Sequence, residues 1–138
     1  LYYYGIHGCE ILFTIMGRGC QTVSRVKGET ADIAAGTWND GRVGCFRGIL
    51  RGQTGFGALV YGEKGIAPSG PFGGYEPLLV KIAKFFQTGK PPMSAQDTIE
   101  IYAFMEAADE SLRQEGRPVS ISSVIEKARK QADAPGTP

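Results

Sequence analysis

The sequence has no surplus of charge of either sign. Fifteen lysine and arginine residues stand against fourteen aspartate and glutamate residues, which leaves +1 over 138 residues. Binding to nucleic acid needs a basic excess on one face, so this balance argues against that class of protein. The chain also lacks an apolar run of the roughly 20 residues that cross a bilayer. Its aromatic first residues are not the basic start of a secretory signal. We therefore expect neither a nucleic-acid nor a membrane partner.

Paired cysteines are also missing. The three cysteines, Cys9, Cys20 and Cys45, are an odd number without the short spacings of a zinc site or a disulfide framework. Reduced cysteines of this kind are typical of cytoplasmic proteins, which is the location that we expect. No metal site is predicted.

A dinucleotide-binding fingerprint is the third absence. No Gly-x-Gly-x-x-Gly opens a βαβ unit: Gly17-Arg18-Gly19 lacks the third glycine and follows a predicted helix. Gly55-Phe56-Gly57 fails the same comparison. We therefore expect no cofactor to bind to this chain.

The first half of the chain predicts a helix followed by strands. Apolar residues at helical spacing predict a helix over residues 5–16, which the glycines after it can end. β-Branched and alternating residues then predict four strands. Asn39-Asp40-Gly41 is a strong hairpin signal between the second strand and the third. The predicted strands are Thr22–Val26, Asp32–Trp38, Arg42–Ile49 and Phe56–Tyr61, and the stretch Ile66–Gly74 is predicted to be an ordered loop.

In the second half the apolar period changes to that of a helix. Glu76–Thr88 is amphipathic, and its apolar residues Leu78, Leu79, Ile82, Phe85 and Phe86 are expected to be buried. Ser94, with Asp97 three residues on, predicts the start of a helix that runs to about Glu115 and carries an exposed Asp109–Arg113 pair. A last short helix starts at Ser120 or Ser122 and ends near Gln131. This order predicts an α+β fold: an open, mainly antiparallel sheet with helices on one face.

The only histidine of the chain, His7, lies near the start of the first predicted helix. Imidazole can carry protons near neutral pH. Tyr3 lies four residues before His7 and Glu10 three residues after it, so on a helix the three would share one face. Such a set could hold a substrate hydroxyl. A purely structural histidine is the alternative interpretation.

The chain resembles the C-terminal domain of the Gfo/Idh/MocA oxidoreductases, the glucose-fructose oxidoreductase and inositol dehydrogenase type. The resemblance covers nearly the whole chain. Its first carriers are Tyr3-Tyr4-Gly5-Ile6-His7-Gly8-Cys9-Glu10-Ile11-Leu12, Trp38-Asn39-Asp40-Gly41-Arg42 and Val60-Tyr61-Gly62-Glu63-Lys64-Gly65. It continues through Pro77-Leu78-Leu79, Gly89-Lys90-Pro91-Pro92 and Ile101-Tyr102-Ala103-Phe104-Met105-Glu106-Ala107-Ala108-Asp109-Glu110-Ser111.

The resemblance implies a substrate-binding and oligomerisation domain over residues 1–131, of the dihydrodipicolinate reductase-like type. Residues 132–138 are expected to form a flexible tail, because the ends of a chain often fray. His7 would contact the substrate hydroxyl and assist proton transfer, and Glu10 would fix the imidazole. Tyr3 would orient the substrate or take part in the proton path. NAD or NADP would be held by a Rossmann domain that is not part of these residues. The family's Glu-Lys-Pro motif, whose lysine is the usual acid/base group, is absent, since Glu63-Lys64-Gly65 lies in a predicted turn.

Two function classes follow. The first is the substrate domain of an NAD(P)-dependent oxidoreductase of a sugar, polyol or related hydroxy compound, inactive when isolated and assembled into a homo-oligomer through its open sheet. The alternative is a non-catalytic α+β module for dimerisation or for small-molecule binding.

Overall fold

The computed structural model describes residues 4–71 and 73–134, and these form four helices and six strands. The first half holds α1 (Gly5–Met16), β1 (Cys20–Lys27), β2 (Ala31–Trp38), β3 (Val43–Ile49), β4 (Leu59–Gly62) and β5 (Gly65–Pro68). The second half holds α2 (Glu76–Thr88), α3 (Ala95–Arg113), β6 (Val119–Ser120) and α4 (Ile121–Asp133). The predicted α+β class is confirmed, and α1 has the predicted bounds.

Four strands form one open antiparallel sheet in the order β3-β2-β1-β6. Alternate residues of each strand point to the inner face of the sheet. On this face Val23 of β1 lies opposite Gly36 of β2, and Gly36 lies opposite Gly44 of β3. Helices α1 and α3 pack on this inner face, while the residues between these positions point to the other side. The predicted Asn39-Asp40-Gly41 turn joins β2 to β3, and Gly41 adopts the positive φ of 85° that favours glycine there.

The core lies where α3 crosses the sheet. Phe104 and Met105 of α3 are fully buried, and Trp38 of β2 is 3% exposed. The ring of Phe13 from α1 meets both Phe104 and Trp38 at centroid distances of 5.7 Å. Gly36 lies beneath this aromatic cluster, where an added Cβ would come within 2.9 Å of Phe104 Cε2 and of Cys20 Sγ. The absence of a side chain at Gly36 therefore lets α3 approach the sheet.

The predicted place of the fourth strand is wrong. Leu59–Gly62 does not join the sheet of β1–β3, but pairs with Gly65–Pro68 in a separate two-stranded hairpin. The fourth place in the main sheet belongs to β6, which pairs with β1. An alternating pattern predicts an extended segment but does not identify its partner, because strand partners can be distant in sequence.

The predicted burial of α2 is also wrong. All thirteen residues of this helix are exposed. Its apolar residues, here called the apolar stripe, expose between 38% and 79% of their surface. The apolar stripe consists of Leu78, Leu79, Ile82, Phe85 and Phe86. Amphipathic spacing shows which face of a helix can be buried, but burial itself requires a partner surface. The described residues do not cover the apolar stripe.

Helix α3 begins with the predicted capping box. Asp97 N–H donates to Ser94 Oγ at 3.2 Å, and Ser94 N–H donates to Asp97 Oδ2 at 2.8 Å. At its other end the predicted Asp109–Arg113 pair is wrong. Arg113 contacts Glu106 and Glu110 instead, while Asp109 faces the sheet and pairs with Arg25.

Arg25 is a buried cation that joins three elements. Its guanidinium donates to Asp32 Oδ1 from Nε at 2.8 Å and to Asp32 Oδ2 from Nη2 at 2.5 Å. Nη1 donates to Asp109, and the backbone N–H of Arg25 donates to Ser111 Oγ at 2.9 Å. Arg25 and Asp32 are only 5% and 7% exposed, so each needs the other as its counter-charge. The hydrogen bond and charge of Arg25 lower the pKa of Asp32 below its usual value.

We expect Arg25→Met to lower the free energy of unfolding by about 3–5 kcal/mol at pH 7, because it leaves a buried carboxylate unpaired.

The lowered pKa of Asp32 also predicts that the free energy of unfolding depends on pH. The stability that the ionised Asp32 carboxylate contributes is complete above its unfolded-state pKa of about 3.8. It is lost as the pH falls through the lower pKa of this carboxylate in the folded state. Urea unfolding from pH 7 to pH 2 measures both effects.

Asp32→Asn should show a shallower acid decline than the parent chain, and Glu63→Gln, in the exposed turn between β4 and β5, should leave the decline unchanged. Equal acid profiles for Asp32→Asn and the parent would contradict the role assigned to this pair.

Candidate functional site

His7 and Glu10 form a hydrogen-bonded pair on the outer side of α1. His7 Nδ1 lies 3.1 Å from Glu10 Oε2, and both side chains are about half exposed, at 54% and 52%. A carboxylate can only accept, so in this contact Nδ1 carries the proton. When the ring is neutral, Nε2 is then left as an acceptor, which is the form needed to receive a proton from a hydroxyl. The predicted meeting of these two residues is therefore observed.

The core-facing residues of α1 determine this orientation. Cys9, Leu12 and Phe13 are buried against the sheet and α3, which turns His7 and Glu10 outward. Gly8 permits the close approach of α1 to β3, since an added Cβ would lie 2.3 Å from Phe46 Cε2. The direction of His7 thus depends on helix packing as well as on helical spacing.

Phe56 supplies an apolar wall beside the imidazole. Its ring meets His7 edge-on, at a centroid distance of 5.9 Å and an interplanar angle of 82°. The ring of Tyr4 lies on another side at 6.4 Å, tilted by 48°. The sequence did not identify Phe56 as a site residue, because Phe56 lies 49 positions after His7 and the Gly55-Phe56-Gly57 stretch around it matches no functional motif.

Tyr3, the remaining predicted site residue, lies outside the described residues. The predicted Tyr3–His7–Glu10 set is therefore observed only for its histidine and its glutamate. The substrate-orienting role of Tyr3 stays a prediction.

Cys9 is not a second reactive group beside His7. Its side chain is fully buried in the core, and burial raises the pKa of the thiol to about 12. Burial likewise raises the pKa of Cys20 to about 12. Thiolates are the nucleophilic and metal-binding form, so neither cysteine is activated at neutral pH. Over residues 4–71 and 73–134, no three potential metal ligands lie close enough together to hold an ion.

A large open groove lies elsewhere on the molecule. It has a volume of about 850 Å³, and neither His7 nor Glu10 lines it. This surface, here called the α3–α4 groove, is mainly apolar along its floor. Among its lining residues are Ile99, Tyr102, Ala103, Val119, Val124 and Ile125. The His7–Glu10 pair is therefore an exposed surface site, separate from the α3–α4 groove.

No protein-family model matches the chain, and no curated protein or solved structure is significantly similar to it. In the part of the chain that the structure describes, no helix is both long and apolar enough to cross a membrane.

We expect Glu10→Ala to move the proton of the neutral His7 ring from Nδ1 toward Nε2, because the carboxylate that accepts from Nδ1 is removed. Nitrogen NMR of the imidazole measures this distribution directly. His7 is the only histidine of the chain, so its signals need no assignment by mutation.

Glu63→Ala is the matched control, since it removes a carboxylate from a distant exposed turn. An unchanged proton distribution in Glu10→Ala would show that Glu10 does not orient the ring in solution.

Proposed function

We propose that this chain is the substrate-binding domain of an NAD(P)-dependent oxidoreductase of the Gfo/Idh/MocA type, acting on a sugar, polyol or related hydroxy compound. The observation that carries the proposal is the His7–Glu10 pair, an outward-facing imidazole with a carboxylate fixed on Nδ1. The motifs quoted above for the resemblance also support it. The free state of the three cysteines fits a cytoplasmic enzyme.

His7 binds and orients the reacting hydroxyl in this proposal. Nε2 would accept the hydroxyl hydrogen and take the proton as the alcohol is oxidised to the carbonyl, while the hydride on its carbon would go to the oxidised nicotinamide cofactor held by the Rossmann domain. Glu10 stabilises the imidazolium that results and keeps the ring from rotating. Phe56 offers an apolar surface against which the carbon skeleton of a sugar or polyol packs.

The nicotinamide cofactor belongs to another part of the enzyme. The described residues form an antiparallel sheet without a βαβ unit, and the sequence lacks the glycine fingerprint, which supports a cofactor site elsewhere in the enzyme. In this proposal a Rossmann domain holds the cofactor, and this chain binds the substrate and accepts its proton.

Self-association through the sheet is a second candidate function, with or without catalysis. The outer face of β1, β2 and β3 is not covered by the described helices and exposes apolar side chains at Val26, Ile33, Val43 and Ile49. Apolar surface in this amount is typical of a contact between proteins.

In the complete enzyme, we expect His7→Ala to lower kcat about 10²- to 10⁴-fold, because general acid–base catalysis is lost. The affinity for NAD or NADP should stay within about twofold, since His7 lies outside the cofactor site. Steady-state kinetics and calorimetric titration measure the two quantities.

Lys64→Ala, in the exposed β4–β5 turn, is the control and should preserve kcat. Unchanged turnover in His7→Ala would remove this residue from the mechanism. Calorimetry of the 138-residue chain alone should detect no binding at millimolar cofactor, and saturable heat would place the dinucleotide site within these residues.

For the sheet contact, we expect Ile33→Glu to lower the average molar mass of the chain in sedimentation equilibrium, because a charge would be buried between two faces. Thr54→Glu, in the loop before β4, is the control. Equal masses for both variants and the parent chain would exclude the outer sheet face as an interface.

A further inference from the structure

Glu100 of α3 is a buried carboxylate of which the protein uses only one oxygen. Its side chain belongs to a residue that is 8% exposed. Oε1 accepts from the backbone N–H of Gly19 at 2.6 Å and from that of Cys20 at 2.9 Å. No residue that the structure describes donates a hydrogen bond to Oε2. An ionised carboxylate can accept at both oxygens, so half of the capacity of Glu100 stays free.

The free oxygen opens into a small pocket between the start of β1, α3 and the start of α4. Within residues 4–71 and 73–134, every fully enclosed side-chain oxygen or nitrogen has a hydrogen-bond partner, so the unpartnered Oε2 must be accessible. The pocket that Glu100 lines has a volume of about 210 Å³, and Gln21, Ser122 and Ile125 line it as well. Sites for drug-sized ligands span about 300–1,000 Å³, so a ligand of this pocket is smaller than those.

The two sides of the pocket differ in electrostatic potential. Glu100 supplies a negative charge, and none of the described residues that line the pocket is a lysine, arginine or histidine. On the other side α4 begins at Ile121, and its N-cap residue, Ser120, makes no side-chain hydrogen bond to a backbone N–H of the first turn. Ser120 Oγ pairs with Ser122 Oγ at 2.8 Å instead. The uncapped N–H groups carry the partial positive charge of a thirteen-residue helix, which favours an anion.

We propose that this pocket binds a small α-amino acid. The ammonium group donates to Glu100 Oε2, and the carboxylate accepts from the first backbone N–H groups of α4 and from Ser122 Oγ. An amine alone would face the positive end of α4, and an acid alone would face the Glu100 carboxylate. An amino acid carries both charges on neighbouring atoms and so matches both sides of the pocket. Ile125 offers a short apolar wall, which fits a side chain as small as that of alanine.

This site is separate from the His7–Glu10 pair. His7 lies in the first turn of α1 and Gly19 follows the end of this helix, and a helix of 12 residues is about 18 Å long. The proposal therefore does not depend on the proposed enzymatic function. Because Glu100 also joins α3 to the start of β1, a ligand held by its free oxygen stabilises this junction.

NMR titration of the ¹⁵N-labelled chain with L-alanine tests the site. We expect saturable shifts of the backbone amide signals of Gly19, Cys20 and Ser122. Methylammonium and acetate each carry half of the charge pattern and should bind about tenfold more weakly or worse, because each lacks one hydrogen bond between charged groups. The absence of a saturable shift at these amides with millimolar L-alanine would overturn the proposal. Equal affinity for L-alanine and for either half-ligand would also overturn it.

Glu100→Gln tests the ammonium contact. The amide oxygen can still accept from Gly19 and Cys20, so the variant keeps the junction of α3 with β1 while the negative charge is lost. The dissociation constant of L-alanine should rise about tenfold or more. Glu63→Gln, in the exposed β4–β5 turn, is the control and should leave this constant within about twofold.

Ser122→Glu tests the carboxylate contact and does not weaken the helix. A glutamate in the first turn of α4 is favourable for the helix and places its own carboxylate at the uncapped N–H groups, so L-alanine should bind about tenfold more weakly. Ser123→Glu adds the same charge at the next residue, which does not line this pocket, and should change the affinity by about threefold at most. Circular dichroism checks the fold of each variant. An affinity equal to that of the parent chain, in Glu100→Gln or in Ser122→Glu, would contradict the proposed site.

Discussion

The buried guanidinium of Arg25 is the constraint on which the arrangement of α3 depends. A buried cation must be matched by anions, and these come from the neighbouring strand through Asp32 and from the crossing helix through Asp109. At the other end of α3, buried Glu100 accepts from the backbone N–H of Gly19 at 2.6 Å and of Cys20 at 2.9 Å. Polar contacts at both ends therefore fix α3 on β1, and apolar packing fills the space between them.

The position of α3 also determines the orientation of the side chains at the candidate site. Phe104 of α3 packs edge-on against Phe13 of α1, so the rotation of α1 about its own axis follows from the place of α3. With Cys9 and Phe13 turned inward, His7 and Glu10 can only face outward. A surface histidine on a helix held in this way has a defined direction even though its side chain is half exposed, and that is what positioned proton transfer requires.

Several apolar surfaces of this molecule lie outside the core and are exposed to solvent. Apolar side chains are buried beneath α1 and α3, yet the outer sheet face, the apolar stripe of α2 and the α3–α4 groove all stay open. Exposed apolar surface on this scale is unfavourable in water and favours association. The proposed sheet contact would cover the first of these three surfaces.

The sequence by itself determined the features that depend on residues a few positions apart: the bounds of α1, the Ser94–Asp97 capping box, the turn at Gly41 and the meeting of His7 with Glu10. Helical spacing, capping and turn geometry act over one turn of chain, so local pattern is sufficient for them. Only the tertiary structure decided that Asp109 pairs with Arg25, that β6 completes the sheet, that Phe56 lies beside His7 and that α2 stays uncovered. Each of these depends on which distant surfaces meet, and local periodicity carries no information about that choice.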